Sequence, residues 1–202
     1  MDGITMNYPP KTKKDLLDII RCEKQIYFPR GGMLKHLIRH SKQASIFKAL
    51  RAFRRYEFYA LNARNSTSVL KRKIRSALIL LTDRHRNKLS ERAGIELSVG
   101  KTSPLIHIMH SGVIINGETG EGCIFHGNNV LGNKRSGEKQ QVPRIGAHVD
   151  IGFGACVIGN VMIADDCVIG AGAVVVESFD VPGTVIAGVP ARAIGRKGEN
   201  DE

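Results

Sequence analysis

Seven histidines are the residues of this sequence best suited to acid–base chemistry, at positions 36, 40, 85, 107, 110, 126 and 148. An imidazole with an ordinary pKa near 6.5 can take up and return a proton close to neutral pH, so each is a candidate general base. The ordinary role of any one histidine is that of a surface or packed residue with its hydrogen bonds satisfied. The choice among them depends on which elements bring them to a site.

The four cysteines, at positions 22, 123, 156 and 167, follow no Cys-x-x-Cys spacing. Scattered cysteines of this kind are typical of free thiols in a reducing compartment. We therefore expect neither a disulfide framework nor a metal site.

A strict six-residue repeat runs through residues 144–176. Large apolar residues occupy every sixth position: Ile145, Ile151, Val157, Ile163, Ile169 and Val175. Apolar and mostly small residues stand two positions before the last five of these: Val149, Ala155, Val161, Cys167 and Ala173. A helix repeats every three to four residues and a strand every two, so neither keeps this period. Hexapeptide repeats indicate a parallel β-helix, in which each short strand stacks on its equivalent one coil away; a few parallel strands with loose loops are the plain alternative.

Composition divides the chain in two. Residues 1–100 hold 22 of the 30 Lys and Arg residues and 8 of the 19 Asp and Glu residues, whereas 17 of the 22 glycines follow Gly100. We therefore predict an α+β protein with a basic α-helical domain over residues 1–98 and a β domain over residues 99–202. The first thirty residues are rich in charge, and the longest apolar run, Ala77 to Leu81, is far shorter than the roughly 20 residues of a membrane span. We expect a cytoplasmic protein.

The basic half shows helical periodicity in four places. The predicted helices run from about Lys13 to Ile26, from Met33 to His40, from Ser45 to Asn62 and from a cap at Ser66 through Leu89. The third helix carries Lys48, Arg51, Arg54 and Arg55 away from its apolar stripe, and the stripe of the fourth consists of Leu70, Ile74, Ala77, Leu78, Leu81 and Leu89. We favour a solvated basic bundle that binds no nucleic acid, while weak attraction of an anionic ligand, polymer or membrane surface stays open.

Three stretches, taken with the repeat, resemble the serine acetyltransferase-like branch of the hexapeptide acyltransferases. They are IHIMHSGVIINGET at 106–119, IFHGNNVLGN at 124–133 and AGVPARAIG at 187–195, and the resemblance covers about the last hundred residues. It implies a left-handed parallel β-helix, an exception to the usual right-handed crossover. It also implies homotrimers, which can pair into dimers of trimers, with active sites in the grooves between subunits. Acetyl-coenzyme A is then the expected cosubstrate, with no metal.

The resemblance also assigns residues to the chemistry. His110 matches the position of the family's catalytic base, which takes the proton of an acceptor hydroxyl and returns it to the departing thiolate. His107 is the first alternative and His126 the second. No cysteine occupies a position that demands an acyl-enzyme, so we expect direct transfer in a ternary complex.

Coenzyme A binding is implied for residues that match the groove of relatives, where small residues let the narrow pantetheine arm lie against backbone. The candidates are Gly154, Ala171, Gly172, Gly188, Ala191, Arg192 and Arg196, of which the arginines would meet the nucleotide phosphates. The loop 133–142 interrupts the six-residue count, and in relatives such loops lean over the active site of a neighbouring subunit.

The chain departs from serine-specific members at several charged positions. Their Asp-Ile-His-Pro stretch falls on residues 95–98, the Asp before the catalytic His on Met109, and the Arg-His pair of the loop on Gln141 and Val142. The lost arginine would grip an amino acid's carboxylate, and the lost carboxylates would orient His110 and meet the ammonium. Glu118 and Glu96 are the nearest replacements, and we place Glu118 with His110 in the catalytic set.

These departures lead us to predict an acetyl-coenzyme A-dependent O-acetyltransferase whose acceptor is a hydroxyl of a sugar or surface polysaccharide precursor. The first alternative is L-serine O-acetylation in cysteine biosynthesis, with a small-molecule acceptor in place of a glycan. The second is a non-catalytic β-helix scaffold that binds an anionic partner.

Overall fold

The computed structural model describes residues 8–29, 32–39, 41–62, 69–135 and 141–198. The chain divides into two compact units, Met1–Ala93 and Gly94–Glu202, which we call the helical unit and the sheet unit. The last helix ends at Ala93, and Gly94 follows it with a left-handed φ of 64°, a common way for a helix to stop. Residues 95–97 form the first strand of the sheet unit, so strand pairing begins ahead of the boundary that we predicted after residue 98.

The helical unit contains α1 (Lys13–Tyr27), α2 (Met33–Ile38), α3 (Lys42–Leu61) and α4 (Val69–Ala93). Thr12 caps α1, since its hydroxyl accepts a hydrogen bond from the Asp15 amide while the Asp15 carboxylate accepts one from the Thr12 amide. Ser41 caps α3 in the same position, which is why this helix begins three residues before the predicted Ser45. The predicted cap Ser66 lies outside the described residues.

Arg54 was predicted to lie on the solvated basic surface of α3, and this prediction is wrong. It is fully buried, and its guanidinium lies 3.0 Å from carboxylate oxygens of both Glu23 in α1 and Glu57 in α3. Burial alone would lower the pKa of Arg54, but the two carboxylates outweigh burial and raise it. The basic surface predicted for α3 therefore contributes one arginine to the interior, because two acidic residues compensate its charge.

The predicted apolar stripe of α4 is largely open in the single chain. Leu70, Ile74 and Leu81 are 67%, 52% and 62% exposed, although α4 packs against α3. This face is available to a partner.

The sheet unit consists of short strands that form three sheets among the described residues. Sheet A contains β1 (Ile95–Leu97), β3 (Val113–Ile115), β6 (Val130–Gly132), β9 (Cys156–Ile158) and β12 (Val174–Val175). Sheet B contains β4 (Glu118–Thr119), β7 (Arg144–Ile145) and β10 (Met162–Ile163). Sheet C contains β2 (His107–Ile108), β5 (Ile124–Phe125), β8 (Asp150–Ile151), β11 (Val168–Ile169), β13 (Thr184–Gly188) and β14 (Ala191–Arg196).

The strands pair in parallel within each sheet, and an antiparallel hairpin of β13 and β14 closes sheet C. From β3 to β12 the chain passes through sheets A, B and C in that repeated order. We call one such passage a rung. Every rung therefore stacks on the one before it.

The six-residue repeat sets the core of the sheet unit. Its six large apolar residues are at most 4% exposed, and the five small residues two positions before them are at most 6% exposed. The residues between them alternate to the outer face, as the pleat of a strand requires. The outer faces are thus where chemistry can be placed.

In the described ranges, no helix is both long enough and apolar enough to cross a membrane.

Candidate active site

The chain turns the same way each time that it leaves sheet C for sheet A. Residues Gly112, Asn128, Gly154 and Gly172 occupy this corner in successive rungs, with φ values of 82°, 51°, 74° and 68°. Backbone hydrogen bonds stack the corners: the amides of Asn128, Gly154 and Gly172 donate to the carbonyls of Ser111, Gly127 and Phe153 at 2.9–3.0 Å. We call this stack the C–A column; it comprises residues 110–112, 127–128, 153–154 and 171–172.

His110, the predicted base, lies in the first corner of the C–A column with its side chain exposed. A methyl group built on Gly127 of the next rung would come within 2.7 Å of the His110 Cβ and 3.2 Å of the Phe153 ring. The absence of a side chain at Gly127 therefore lets His110 and Phe153 approach each other across one rung.

Three of the predicted coenzyme A-binding residues, Gly154, Ala171 and Gly172, lie further along the same column. A methyl group on Gly172 would meet nothing within 4 Å, and one on Gly154 would meet only the Gly172 nitrogen, at 4.0 Å. The backbone is thus bare beside the column. This is the space that a narrow, extended ligand needs.

The remaining predicted coenzyme A-binding residues belong to the hairpin of β13 and β14. Gly188 is the last residue of β13, the strand that pairs with β11, and it has a φ of 101°. Ala191 is 2% exposed, so its methyl group packs inward. Arg192 lies 3.2 Å from the Glu177 carboxylate, but both side chains are well exposed, and a pair of this kind contributes little to stability. Arg196 lies in β14 opposite Thr184.

Glu118, the predicted carboxylate partner, is in β4 of sheet B. Its oxygens lie 3.7 Å from the Lys101 ammonium and 3.5 Å from the Arg144 guanidinium. Glu96 is in β1 of sheet A, and its side chain is exposed. Within one chain, neither carboxylate belongs to the C–A column that contains His110.

A different carboxylate lies near the column, on the outer face of sheet C. Asp150 of β8 has its Oδ1 atom 2.8 Å from Nε2 of His126, and both side chains are a little over one third exposed. Asp150 pairs in register with Ile124 of β5, and His126 stands two residues beyond Ile124 on the same face. The pair therefore joins two successive rungs.

His107 shares this outer face. It pairs in register with Ile124 from the other side, in β2. Burial, and then the nearby His126, lower the pKa of His107, so we expect a neutral imidazole there at pH 7. His107 and Asp150 thus lie in the strands on either side of β5, and His126 directly follows β5.

Asn129 fixes the corner that carries His126. Its side chain is fully buried; Oδ1 accepts a hydrogen bond from the Gly127 amide at 2.9 Å, and Nδ2 donates one to the Gly152 carbonyl at 2.7 Å. A buried amide with both ends satisfied holds the two rungs at a set distance.

Sequence reasoning missed Asp150 because its partner is 24 positions away and the loop 133–142 interrupts the count between them. The usable signal was its outward position, directly after the inward Val149, in a repeat whose neighbouring outward positions in sheet C are apolar, at Ile124 and Val168. A carboxylate among apolar neighbours indicates a specific partner.

The cysteines have no evident nucleophilic role. Cys22, Cys123 and Cys167 are buried, and Cys156 is partly so. Burial raises the pKa of Cys123 to about 12 and also raises that of Cys167, and a thiol protonated at neutral pH is a weak nucleophile. Within the described ranges, no group of three or more His, Cys, Asp and Glu side chains could hold a metal ion.

The positions of the missing arginine and histidine are the last two residues of the loop 133–142. Gln141 is exposed and Val142 is 4% exposed, so Val142 presents no side chain to a ligand. Residues 136–140 of the predicted loop lie outside the described residues.

Comparisons with curated proteins identify relatives of one kind. No family model matches the chain. It is 39% identical over 95 residues to a serine acetyltransferase of Mycobacterium tuberculosis, which covers 45% of this chain and 41% of the relative. It is 36% identical over 112 residues to a serine acetyltransferase of Synechococcus elongatus, covering 52% of this chain and 44% of the relative. The matched part thus spans less than half the length of these relatives.

Solved structures share the fold. A crystal structure of Neisseria gonorrhoeae serine acetyltransferase superposes with a TM-score of 0.70 at 21% identity, covering 94% of this chain and 70% of the other. A serine acetyltransferase of Brucella abortus in complex with coenzyme A superposes with a TM-score of 0.56 at 21% identity, covering 92% and 70%.

These findings overturn the prediction of a carbohydrate acceptor, since the relatives are serine acetyltransferases. That prediction rests on charged groups that are missing at single positions of the sequence. Polar groups on other rungs reach the same side of the molecule, as His126 and Asp150 show, so missing motif residues did not establish a different acceptor. The matched part of the chain is thus similar to serine acetyltransferases, and the chain shares the fold of solved structures of such enzymes.

Proposed function

We propose that this chain is an acetyl-coenzyme A-dependent L-serine O-acetyltransferase. The observation that carries the proposal is the C–A column, where the exposed His110 stands at one end of a line of bare backbone at Gly154 and Gly172. The names of the relatives supply the reaction and the acceptor. The coenzyme A complex of the Brucella enzyme supports the cosubstrate.

In this proposal, sheets A, B and C are the three walls of a left-handed parallel β-helix. The repeated order of the sheets and the fold shared with the Neisseria enzyme support it. The proposed assembly is a homotrimer with the active sites in the grooves between subunits. Exposed apolar residues on the outer walls, Ile114 at 41% and Met162 at 53%, are suited to subunit contacts, and the open face of α4 is suited to pairing of trimers.

His110 is the proposed general base. It removes the proton of the serine hydroxyl while that oxygen attacks the thioester carbonyl; the new C–O bond forms, the C–S bond breaks, and the thiolate leaves and is protonated. A positioned base of this kind contributes typically 10²–10⁴-fold to a rate. No acyl-enzyme is needed, in keeping with the buried, protonated Cys123.

The pantetheine arm is proposed to lie along Gly154, Ala171 and Gly172, because Gly154 and Gly172 leave the backbone open at the column, and to continue past Gly188 of the hairpin. Arg192 and Arg196 are proposed to meet the phosphates. Ala191 contributes only backbone, since its methyl group is buried. Arg192 would exchange its exposed pairing with Glu177 for a phosphate.

Glu118 has a weaker claim to the catalytic set. It would have to leave both Lys101 and Arg144 before it could orient a base. We therefore propose that it acts as a surface ion-pair residue of sheet B.

The test is a thiol-release assay with acetyl-coenzyme A and L-serine, with O-acetylserine identified by mass spectrometry. We expect activity in the unmodified protein and a loss of about 10³-fold in kcat/KM for His110→Ala, within the range for a catalytic base. His148→Asn is the control, because His148 is an exposed histidine at another corner and Asn tolerates its φ of 56°. Equal rates for His110→Ala and the unmodified protein would show that His110 is not the general base. A protein that does not bind coenzyme A at all would support the non-catalytic scaffold instead.

A further inference from the structure

The pair of His126 and Asp150 is a second histidine–carboxylate arrangement that the mechanism above leaves unused. Its Nε2–Oδ1 distance of 2.8 Å is that of a hydrogen bond. The neighbouring outward positions of sheet C are apolar on both sides: Ile124 on β5 and Val168 on β11. A carboxylate on this wall is therefore specific to its histidine rather than part of a general charged surface.

The pair also has a defined place relative to the base and the bare backbone. His110 stands in the first rung of the C–A column, His126 immediately precedes Gly127 in the second, and Gly154 stands in the third. His126 therefore lies between the base and the proposed path of the thioester. Asn129 holds this corner in place through Gly127.

We propose, resting on the function proposed above, that His126 is the general acid of the reaction, and that Asp150 positions it. The imidazolium of His126 donates its proton to the thiolate as the C–S bond breaks, while His110 holds the proton taken from the hydroxyl. After the products leave, His110 gives up its proton to solvent and His126 takes one from solvent. Protons and charge balance over one turnover.

The groups around His126 are compatible with this role. In the described part of the chain, two titratable groups face it from neighbouring strands, Asp150 on β8 and His107 on β2. His110 lies in the corner of the preceding rung, with its Cβ beside Gly127. His107 has a lowered pKa through burial and through His126 itself, so it is neutral when His126 is charged. Asp150 is then the charged neighbour of His126.

The test is the pH dependence of kcat/KM for L-serine acetylation, measured on the full chain. Separate base and acid groups give a bell-shaped profile, because activity needs His110 deprotonated and His126 protonated. We expect His126→Gln to lower kcat/KM about 100-fold and to remove the alkaline limb. Asp150→Asn should keep both limbs and lower kcat/KM by a smaller factor than His126→Gln, since the acid has lost the carboxylate that positions it.

Matched controls separate this role from a structural one. His148→Asn and Asp166→Asn change a histidine and a carboxylate at exposed corner positions on the other side of sheet C, and both should keep the unmodified profile. Thermal unfolding of each variant identifies any that fail to fold.

The experiment distinguishes failure of the proposed L-serine acetylation from failure of the general-acid role of His126. An unmodified protein that acetylates no serine contradicts the proposed function. If the unmodified protein is active and the His126→Gln variant keeps both limbs of the pH profile, His126 is not the general acid. A higher KM for serine with an unchanged profile would also overturn the general-acid role, by showing that the pair binds the acceptor instead.

Discussion

Two corners of the sheet unit use the same backbone geometry with different residues. The corner after sheet C is the C–A column, where five residues have positive φ: four glycines, at positions 112, 127, 154 and 172, and Asn128. The corner before sheet C, which we call the B–C column, has left-handed φ at Leu105, Gly122, His148, Asp166 and Gly183. Three of these five carry side chains, so the turn itself does not require glycine.

Glycine recurs in the C–A column for a reason other than backbone conformation. Left-handed φ costs an L-residue roughly 1–2 kcal/mol, and the B–C column bears that cost three times. Glycine at 154 and 172 instead leaves space, since a methyl group there would meet almost nothing. Space beside backbone is a property of a binding groove, whereas the B–C column is only a turn.

The largest effect is expected from the same substitution placed in each column. Gly172 and Gly183 have φ values of 68° and 72°, and a methyl group on either would meet nothing within 4 Å. Gly172→Leu and Gly183→Leu should therefore lose similar stability, while only Gly172→Leu raises KM for acetyl-coenzyme A, by about 100-fold or about 2.7 kcal/mol. Steady-state kinetics with thermal unfolding checks this. Equal KM values in both variants would show that the two columns do not differ in function.

An intermediate effect is expected from alanine at the two crowded glycines. A methyl group on Gly112 would come 2.0 Å from the Asn128 Oδ1 and 3.1 Å from its Cα, whereas one on Gly122 would meet only the exposed ring of His148. The ring can rotate away, but the Asn128 backbone cannot. Gly112→Ala should lower the free energy of unfolding by about 1–2 kcal/mol more than Gly122→Ala, as measured by urea titration; the reverse order would show that the C–A column yields more easily.

The smallest effect is expected from glycine at the occupied positions. His148→Gly removes a side chain from a φ of 56° and should raise the free energy of unfolding by about 0.5–1 kcal/mol. Asn128→Gly should change it by less than about 0.3 kcal/mol, because Asn tolerates this conformation. Chemical denaturation compares the two; a larger gain at Asn128 would mean that the C–A column carries the greater backbone strain.

The sequence alone predicts which residues of the sheet unit point inward, but it does not predict the contacts between outward side chains. The inward residues follow a count of six, so each could be placed without knowing its neighbours. The contact between His126 and Asp150 depends on which rungs are adjacent, and the loop 133–142 makes that spacing uncountable: paired residues of β5 and β8 are 26 positions apart, but those of β8 and β11 only 18. His110 could be identified from the sequence because it belongs to a local motif, and its identification does not depend on the register between strands.

The same limit explains Arg54. Its position off the apolar stripe of α3 is typical of a solvated residue. The decisive group, Glu23, lies in another helix 31 positions away, and helical periodicity contains no information on such a partner.

The amide of Asn129 has a consequence for how the molecule tolerates change. It ties the rung before the loop 133–142 directly to the rung after it, through Gly127 and Gly152, so the spacing of those rungs does not depend on how many residues the connecting segment contains. The relative positions of His126 and Asp150 are therefore set by this amide and by strand pairing, and not by the length of the chain that connects them.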